Sequence, residues 1–427
     1  MKAIVNIITV LSFACMATMP LRAQANEEIH VELSPMATRA LWIGDSDLFE
    51  NLSRRGYHQL VNKSLYYETT GKFDQLAHFL GTCNFQGQQH LLKSIVCKAI
   101  FAGALRSQGD FPGAAEQELS SHASLTALNA VTKNNFSMPQ LNAIHGPESI
   151  AVAPKPSAHF DKAAQPFVPW STSCQKTGDQ ILLAINGHEG CFTVDLGAPN
   201  STIGSRLASR AGLTIYSSQI KVNSYLAKIG RVDLLRVGPL EVHNAYFAVI
   251  PETERLASPN VLGLDLLRQL KDITFMSRGI AINSGMDRHG SCTNPLRYSG
   301  SLAFVPRGIV VPAEVNGAHV YLLLDTGLNT NLLLSDPGIL ANLAPQGSAF
   351  GKQTFSNHSF SGWVYSVPIN VFGIESSEIL TILSPRAGGA YGLHGPVVGL
   401  LGLPYLQKHN LQIDFENHCV TILANRA

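Results

Sequence analysis

Two short blocks of this 427-residue sequence have the residue types to do chemistry together. Phe192-Thr193-Val194-Asp195-Leu196-Gly197 and Leu322-Leu323-Leu324-Asp325-Thr326-Gly327 each run an apolar stretch into an aspartate, with glycine two residues later. An apolar run of this length reads as a strand, so each Asp stands at a strand exit. The glycine permits the tight turn that aims the carboxylate outward. Two such units related by a local twofold would bring two carboxylates to one axis. Like charges about 3 Å apart cannot both ionise readily, so such a pair holds one proton. The ionised member can polarise a water while the protonated member hydrogen-bonds a substrate carbonyl, which is general acid–base hydrolysis without a covalent intermediate.

The elements around these blocks repeat as well. Ile185-Asn186-Gly187 precedes Asp195 at the same offsets as Val315-Asn316-Gly317 precedes Asp325. Downstream, Val261-Leu262-Gly263-Leu264-Asp265-Leu266-Leu267 matches Leu400-Leu401-Gly402-Leu403-Pro404-Tyr405-Leu406, and Ile273-Thr274-Phe275 matches Ile413-Asp414-Phe415. Three ordered blocks recurring at one period predict two homologous β units from about residue 175 onward. Asp265 and Asp414 lie inside the downstream blocks and read as structural or surface groups.

Asp325-Thr326-Gly327 after its apolar run, with Leu401-Gly402-Leu403 downstream, resembles the aspartic protease signature. The separations from Asp to the second Gly, 68 residues for Asp195–Gly263 and 77 for Asp325–Gly402, resemble retropepsin-like domains. Two of them in one chain resemble bacterial exported proteins with a fused pepsin-like pair, and the likeness spans about residues 180–425. The resemblance implies Asp195 and Asp325 as catalytic residues sharing one proton, Gly197 and Gly327 as shapers of their loops, and Thr326 as a brace across the axis. It also implies a β-hairpin flap over each lobe, with tips at Asn223-Ser224-Tyr225 and at Asn357-His358-Ser359 through Trp363, so Tyr225 and Trp363 are candidate substrate contacts. The sequence departs at Leu196, where the family carries Thr or Ser, and at Leu328, where a small residue is usual. Only one of two reciprocal hydroxyl braces then remains, which leaves a second reading open: a non-catalytic peptide- or protein-binding module on the same bilobal scaffold.

Composition sets the frame. Hydrophobic residues make up 45%, enough for a sizeable core, and the formal net charge is +1, which offers no basic field for nucleic acid. Met1-Lys2, the apolar run from Ala3 to Met19 and the Ala23-Gln24-Ala25 exit read as a signal peptide over residues 1–25, with a membrane anchor as the alternative. Export would place the protein in the periplasm or outside the cell. Without Cys15, six cysteines remain, an even count that favours disulfides in an exported chain. Of fifteen possible pairings, proximity favours Cys83–Cys97 and Cys174–Cys191, leaving Cys292–Cys419. Sequons at Asn51, Asn62, Asn135, Asn200 and Asn357 matter only in a glycosylating host.

The expected architecture is multi-domain α+β: an N-terminal α-helical region followed by a bilobal all-β aspartic-protease-like pair. Residues 26–130 carry apolar positions at helical spacing, such as Leu91, Leu92, Ile95, Val96 and Ile100. Gly71-Lys72-Phe73-Asp74 and Gly109-Asp110-Phe111-Pro112 look alike, each after one helix and before another, so this region resembles tetratricopeptide-type helix pairs; a plain bundle is the alternative. Its expected role is packing or binding a protein partner. Prolines at 139, 147, 154, 156, 166 and 169 mark 131–174 as a linker, or as an extended segment lying over a domain surface. Lobes at 175–290 and 291–427 follow, with a peptide or protein substrate expected between them. A helical adaptor with a vestigial second half is a third reading. No H-E-x-x-H, Walker or G-x-S-x-G motif occurs, so no metal or cofactor is implied. His188-Glu189 reads as a hairpin tip, and His409 and His418 as surface groups flanking a last strand.

Overall fold

The computed structural model describes residues 5–9, 29–54, 59–81, 91–132, 143–161, 165–174, 180–222, 225–251, 259–282, 294–301, 305, 307–340, 350–355, 358–384, 393 and 396–423. The Ala-Gln-Ala exit lies outside them; within the expected signal segment, Val5–Thr9 is a strand parallel to Ile29–Glu32. Among the described residues no helix is long and apolar enough to cross a membrane.

N-terminal helices precede two β lobes. The helices are α1 (Pro35–Ile43), α2 (Ser46–Arg54), α3 (Gln59–Thr70), α4 (Phe73–Leu80), α5 (Leu91–Ser107) and α6 (Phe111–Thr132). Ser34 caps α1 by accepting the Ala37 amide at 3.2 Å, and Pro35 fills the first turn, where its missing N–H costs nothing. The two look-alike turns adopt one conformation: Gly71 has φ 73° and Gly109 φ 77°, and each releases the chain into a helix that starts at the following Phe. Phe73 and Phe111 are both buried.

The β repeat folds twice in the same way. Strands Gln180–Ile185 and His188–Val194 pair antiparallel, as do Gly308–Val315 and Ala318–Asp325. Each hairpin turns on Asn-Gly with both residues at positive φ, 47° and 80° in the first, 48° and 80° in the second. That is the two-residue turn whose twist matches the strands it joins. The Asp-bearing strand then receives the Leu-Gly-Leu strand in parallel, pairing Val194 with Leu262 in the first lobe and Leu324 with Leu401 in the second. Each lobe closes into a six-stranded barrel, through pairing of Tyr225–Val237 with Leu240–Ile250 and of Gly308–Val315 with His358–Val371. A separate five-stranded sheet joins the lobes: Asp272–Met276 and Gly279–Ile282 come from the first, Leu411–Asp414 and Cys419–Ile422 from the second.

Within the Pro-rich stretch 131–174, the described residues include three short strands that lie on the lobes. Ile144–His145 pairs with Thr214–Val222, Ser157–Phe160 edges Leu240–Ile250, and Phe167–Pro169 completes the shared sheet. The helices pack on the same surface. Ala102, Phe111 and Ala114 share one buried cluster with Ile144, Ile150, Ile220, Ala227, Ile229 and Tyr246. Within it, a buried Arg106–Glu118 ion pair also accepts the Ile144 amide at 3.1 Å. The hairpin Thr214–Val237, expected as a flap, is therefore covered on one face by helix and extended segment.

The Cys174–Cys191 disulfide forms as expected. Cys97 and Cys419 are also disulfide-bonded, while their expected partners Cys83 and Cys292 lie outside the described residues. Replacing Cys174 and Cys191 together by serine should destabilise the first lobe by roughly 3 kcal/mol, the chain-entropy value for a loop of this size. An unchanged urea midpoint would show that neighbouring packing already holds the segment.

Two surface expectations are corrected. His409 stacks on Tyr405, ring centroids 4.4 Å apart, and contacts Glu378 at 3.3 Å; His418 is half-buried. They do flank one strand, Leu411–Asp414, but it is not the last, because the chain turns back at 415–418 into Cys419–Ile422. Asn62 is fully buried, so its sequon is closed in the folded chain.

Candidate active site

The turn Asp195–Gly197 follows strand His188–Val194, and Asp325 ends strand Ala318–Asp325. Asp195 accepts the Gly197 amide at 2.8 Å, and Asp325 accepts the Gly327 amide at 3.1 Å. The two turns interlock across the axis. A Cβ on Gly197 would lie 2.8 Å from Cγ of Asp325, and one on Gly327 would lie 2.6 Å from Oδ2 of Asp195. Only glycine allows each backbone to pass that close to the opposite carboxyl. Each carboxyl is close enough to the other to shift its titration. Asp325 is 9% exposed, Asp195 is partly exposed and Gly327 is open to solvent, so the pair is reachable from that side.

Burial raises Asp195 above the ordinary carboxylate range, against the Gly197 amide and the hydrogen bond from Asp325. Burial raises Asp325 much further, and the negative charge of Asp195 adds to it. The proton belongs to the pair rather than to one residue, and one carboxyl stays protonated where an isolated Asp would be ionised.

Thr326 reaches across the axis. Its Oγ1 accepts the Leu196 amide at 2.9 Å. The reciprocal position holds the Leu196 side chain, fully buried in the main core, so packing stands where a second hydroxyl would be. Leu196→Thr should add the missing brace and raise kcat several-fold, with some loss of stability from the smaller apolar side chain. An unchanged or lower kcat would show that the first lobe is better served by Leu.

Behind each turn the lobes solve one problem in two ways. Gly263 passes so close to Ala198 and Asn200 that a Cβ would come within 2.7 Å of the Asn200 carbonyl carbon, and Gly402 would meet the Thr330 oxygen at 2.2 Å. The Leu264 amide donates to Ala198 at 2.8 Å, as the Leu403 amide donates to Leu328 at 2.9 Å. In the first lobe Asp265 accepts from Ser201 N at 3.0 Å, Ser201 Oγ at 2.6 Å and Leu266 N at 2.9 Å, and Ser201 Oγ accepts from Gly263 N at 2.9 Å. In the second lobe Asn331 Oδ1 accepts from Gly402 N at 2.9 Å. Asp265 is thus structural, fully buried and pushed up to about 6 by desolvation against those hydrogen bonds. Asp414 is likewise structural, accepting both Asn417 nitrogens.

Of the flap residues, tips 223–224 and 356–357 lie outside the described residues, and nothing is described of the Tyr225 side chain. Both hairpins are present: Tyr225 pairs with Val222, and His358 with Phe355. Trp363 sits down the second hairpin, paired with Phe350 and Ile382, and is 46% exposed. It is on a strand, not at a tip. Among the described residues no cluster of His, Cys, Asp and Glu could hold a metal ion.

Sequence reading missed Ser201 and Asn331 as supports. The signal was there in part: Asp265 in one repeat aligns with Pro404 in the other, so a buried acid had to find its partners outside the repeat.

No curated protein matches the chain. Among solved structures, it aligns with the retroviral protease-like domain of Ddi1 from Leishmania major, at 18% identity over 28% of this chain and 88% of that one, TM-score 0.20. It also aligns with EIAV protease complexed with the inhibitor HBY-793, at 17% identity over 23% and 85%, TM-score 0.18. Residues 181–266, which carry Asp195 and Gly263 in the first barrel, match the family described as aspartyl protease.

Proposed function

We propose that the protein is an aspartic endopeptidase that acts after export. Asp195 and Asp325 hold one proton between them, the ionised carboxylate takes a proton from the attacking water, and the protonated one hydrogen-bonds the scissile carbonyl. The carbonyl carbon gains the oxygen of water, the protonated carboxyl stabilises the tetrahedral oxygen, and the amide nitrogen leaves with a proton from the pair. An extended peptide would lie between the lobes and pair with strand edges. The observation that carries this reading is the interlocking of the two turns, which sets each carboxyl against the other lobe's glycine. The A-x-A exit and the disulfides support export.

Leu196 favours a second reading, a peptide- or protein-binding module without turnover, since it leaves a single brace across the axis. A peptide library incubated with the purified protein between about pH 3 and 8 separates the two. Cleavage supports the peptidase; saturable peptide binding without cleavage supports the binding module.

A further inference from the structure

We infer that the helical region is a working part of the Asp195 side of the site, coupled to it through Arg268 and Asp265 acting as positioning residues. This rests on the peptidase reading above and adds to it a role for the first third of the chain.

The coupling begins at the two look-alike helix turns. A Cβ on Gly71 would lie 2.3 Å from the Tyr298 ring, and one on Gly109 would lie 3.3 Å from Gln269 and 3.6 Å from the Asp265 carbonyl. Both turns thus press on one place, where the Leu-Gly-Leu block of the first lobe meets the start of the second. Arg268 stands at the centre. Its guanidinium carbon is 4.2 Å from the Phe73 ring centroid and 4.7 Å from that of Tyr298, and its Nη1 donates to the Ser107 carbonyl at 2.9 Å. Gln269 beside it donates to Gln108 at 3.4 Å and to Asp265 at 3.2 Å. One helical residue stacks on the cation and another accepts its proton, so the helices set where the guanidinium lies.

The other end of the coupling reaches the catalytic turn. Arg268 is three residues after Asp265, and its charge favours the ionised form of that acid. Asp265 holds both the amide and the hydroxyl of Ser201, and Ser201 holds Gly263, whose neighbour Leu264 donates to Ala198. The Ala198 amide in turn donates to the Asp195 carbonyl at 3.3 Å. The titratable groups around the hub are Glu68 on α3, Asp265, Tyr298, and Arg307 at the start of the second lobe. The second lobe has no counterpart. Pro404 and Gln407 occupy the places of Asp265 and Arg268, and the neutral Asn331 amide bonds Gly402. The helices therefore reach the Asp195 turn through a polar relay, whereas on the Asp325 side they act by apolar packing, Ile43 sharing a buried cluster with Leu323 and Leu400.

The test uses the full chain carrying Arg268→Met, Arg268→Lys or Asp265→Asn, with kcat and KM measured on a peptide that the wild type cleaves. Arg268→Met and Asp265→Asn should each lower kcat about 10- to 100-fold with KM within about twofold, because the turn carrying Asp195 shifts while the substrate-binding strands do not. Arg268→Lys keeps the charge and should recover part of the loss. A folded Arg268→Met variant with wild-type kcat would overturn the coupling, as would equal rises in KM and falls in kcat for all three variants. If Arg268→Met does not fold, Phe73→Leu removes the stacking ring and keeps apolar volume; a wild-type kcat there would overturn it equally. If the wild type cleaves nothing, the peptidase reading fails by itself. The coupling is then read from the carboxyl titration of Asp195 by carbon-13 NMR, which Arg268→Met should shift and which, if unchanged, overturns it.

Discussion

Asp325→Asn is expected to abolish peptide cleavage while leaving the fold intact, and to make the protein more stable at neutral pH than the wild type. Loss of a general acid–base partner costs about 10²–10⁴-fold in rate. Oδ1 of Asp325 accepts the Gly327 amide, and the carboxyl titrates against that of Asp195. Asparagine keeps the shape and an acceptor but cannot exchange the proton. Stability moves the other way for a stated reason. Burial and the Asp195 charge hold Asp325 well above the ordinary carboxylate range, so the folded state keeps a proton that the unfolded chain releases. Stability is therefore full at low pH and falls as pH rises past the unfolded value near 3.8. Asparagine removes that penalty, so the melting temperature of the variant should gain on the wild type progressively above about pH 4. A variant that retains cleavage would end the two-carboxyl mechanism; one that unfolds at every pH would show that the pair is a structural keystone first.

Glu68→Gln should give the largest stability change away from the site. Glu68 lies on α3, has no exposed surface, and accepts the Ser301 amide at 3.0 Å from the second lobe. Its other oxygen is buried without a hydrogen-bonding partner. Desolvation, opposed by that amide and by Arg268 and Arg307, pushes its pKa up to about 8 from 4.5. Between those two values the unfolded chain has ionised and the folded one has not, so each pH unit removes about 1.4 kcal/mol and the window removes about 5 kcal/mol in all. Glutamine imitates the protonated acid and is insensitive to pH. The two proteins should melt together near pH 4.5 and diverge up to about pH 8, with the variant the more stable. Parallel melting curves across that window would show that Glu68 ionises in the folded protein as it does in a free chain.

The parts of this molecule that could be read in advance are those set by local chemistry. Asn186-Gly187 and Asn316-Gly317 dictate hairpins because both residues must take positive φ, and the apolar runs beside them have nowhere to go but a barrel wall. The Leu-Gly-Leu blocks were legible as a repeat, and Gly263 and Gly402 are glycine because a neighbouring backbone leaves no room for a Cβ. Gly71 and Gly109 likewise announced two turns of one kind. Nonlocal pairing was not legible. Strands as short as Ile144–His145 and Phe167–Pro169 have no periodicity of their own and exist only because a sheet edge accepts them. Nothing in the neighbourhood of Glu68 or Arg268 signals burial, since their partners are 233 and 161 residues away. The expected surface position of His409 failed in the same way, because its contact with Glu378 crosses 31 residues of chain.

The interleaving of the proline-rich stretch bears on how this protein can be cut. Truncation just before the first barrel would seem to liberate a tidy protease unit, yet it would strip Ile144–His145 and Ser157–Phe160 from the two edges of one sheet and Phe167–Pro169 from the sheet the lobes share. It would also leave Ile220, Ala227, Ile229 and Tyr246 without the side chains that shield them. Raw margins beside newly wetted oily patches invite sticking between copies. The helical region, the tether and the lobes are thus one folded unit: a cut between them spoils what lies on either side.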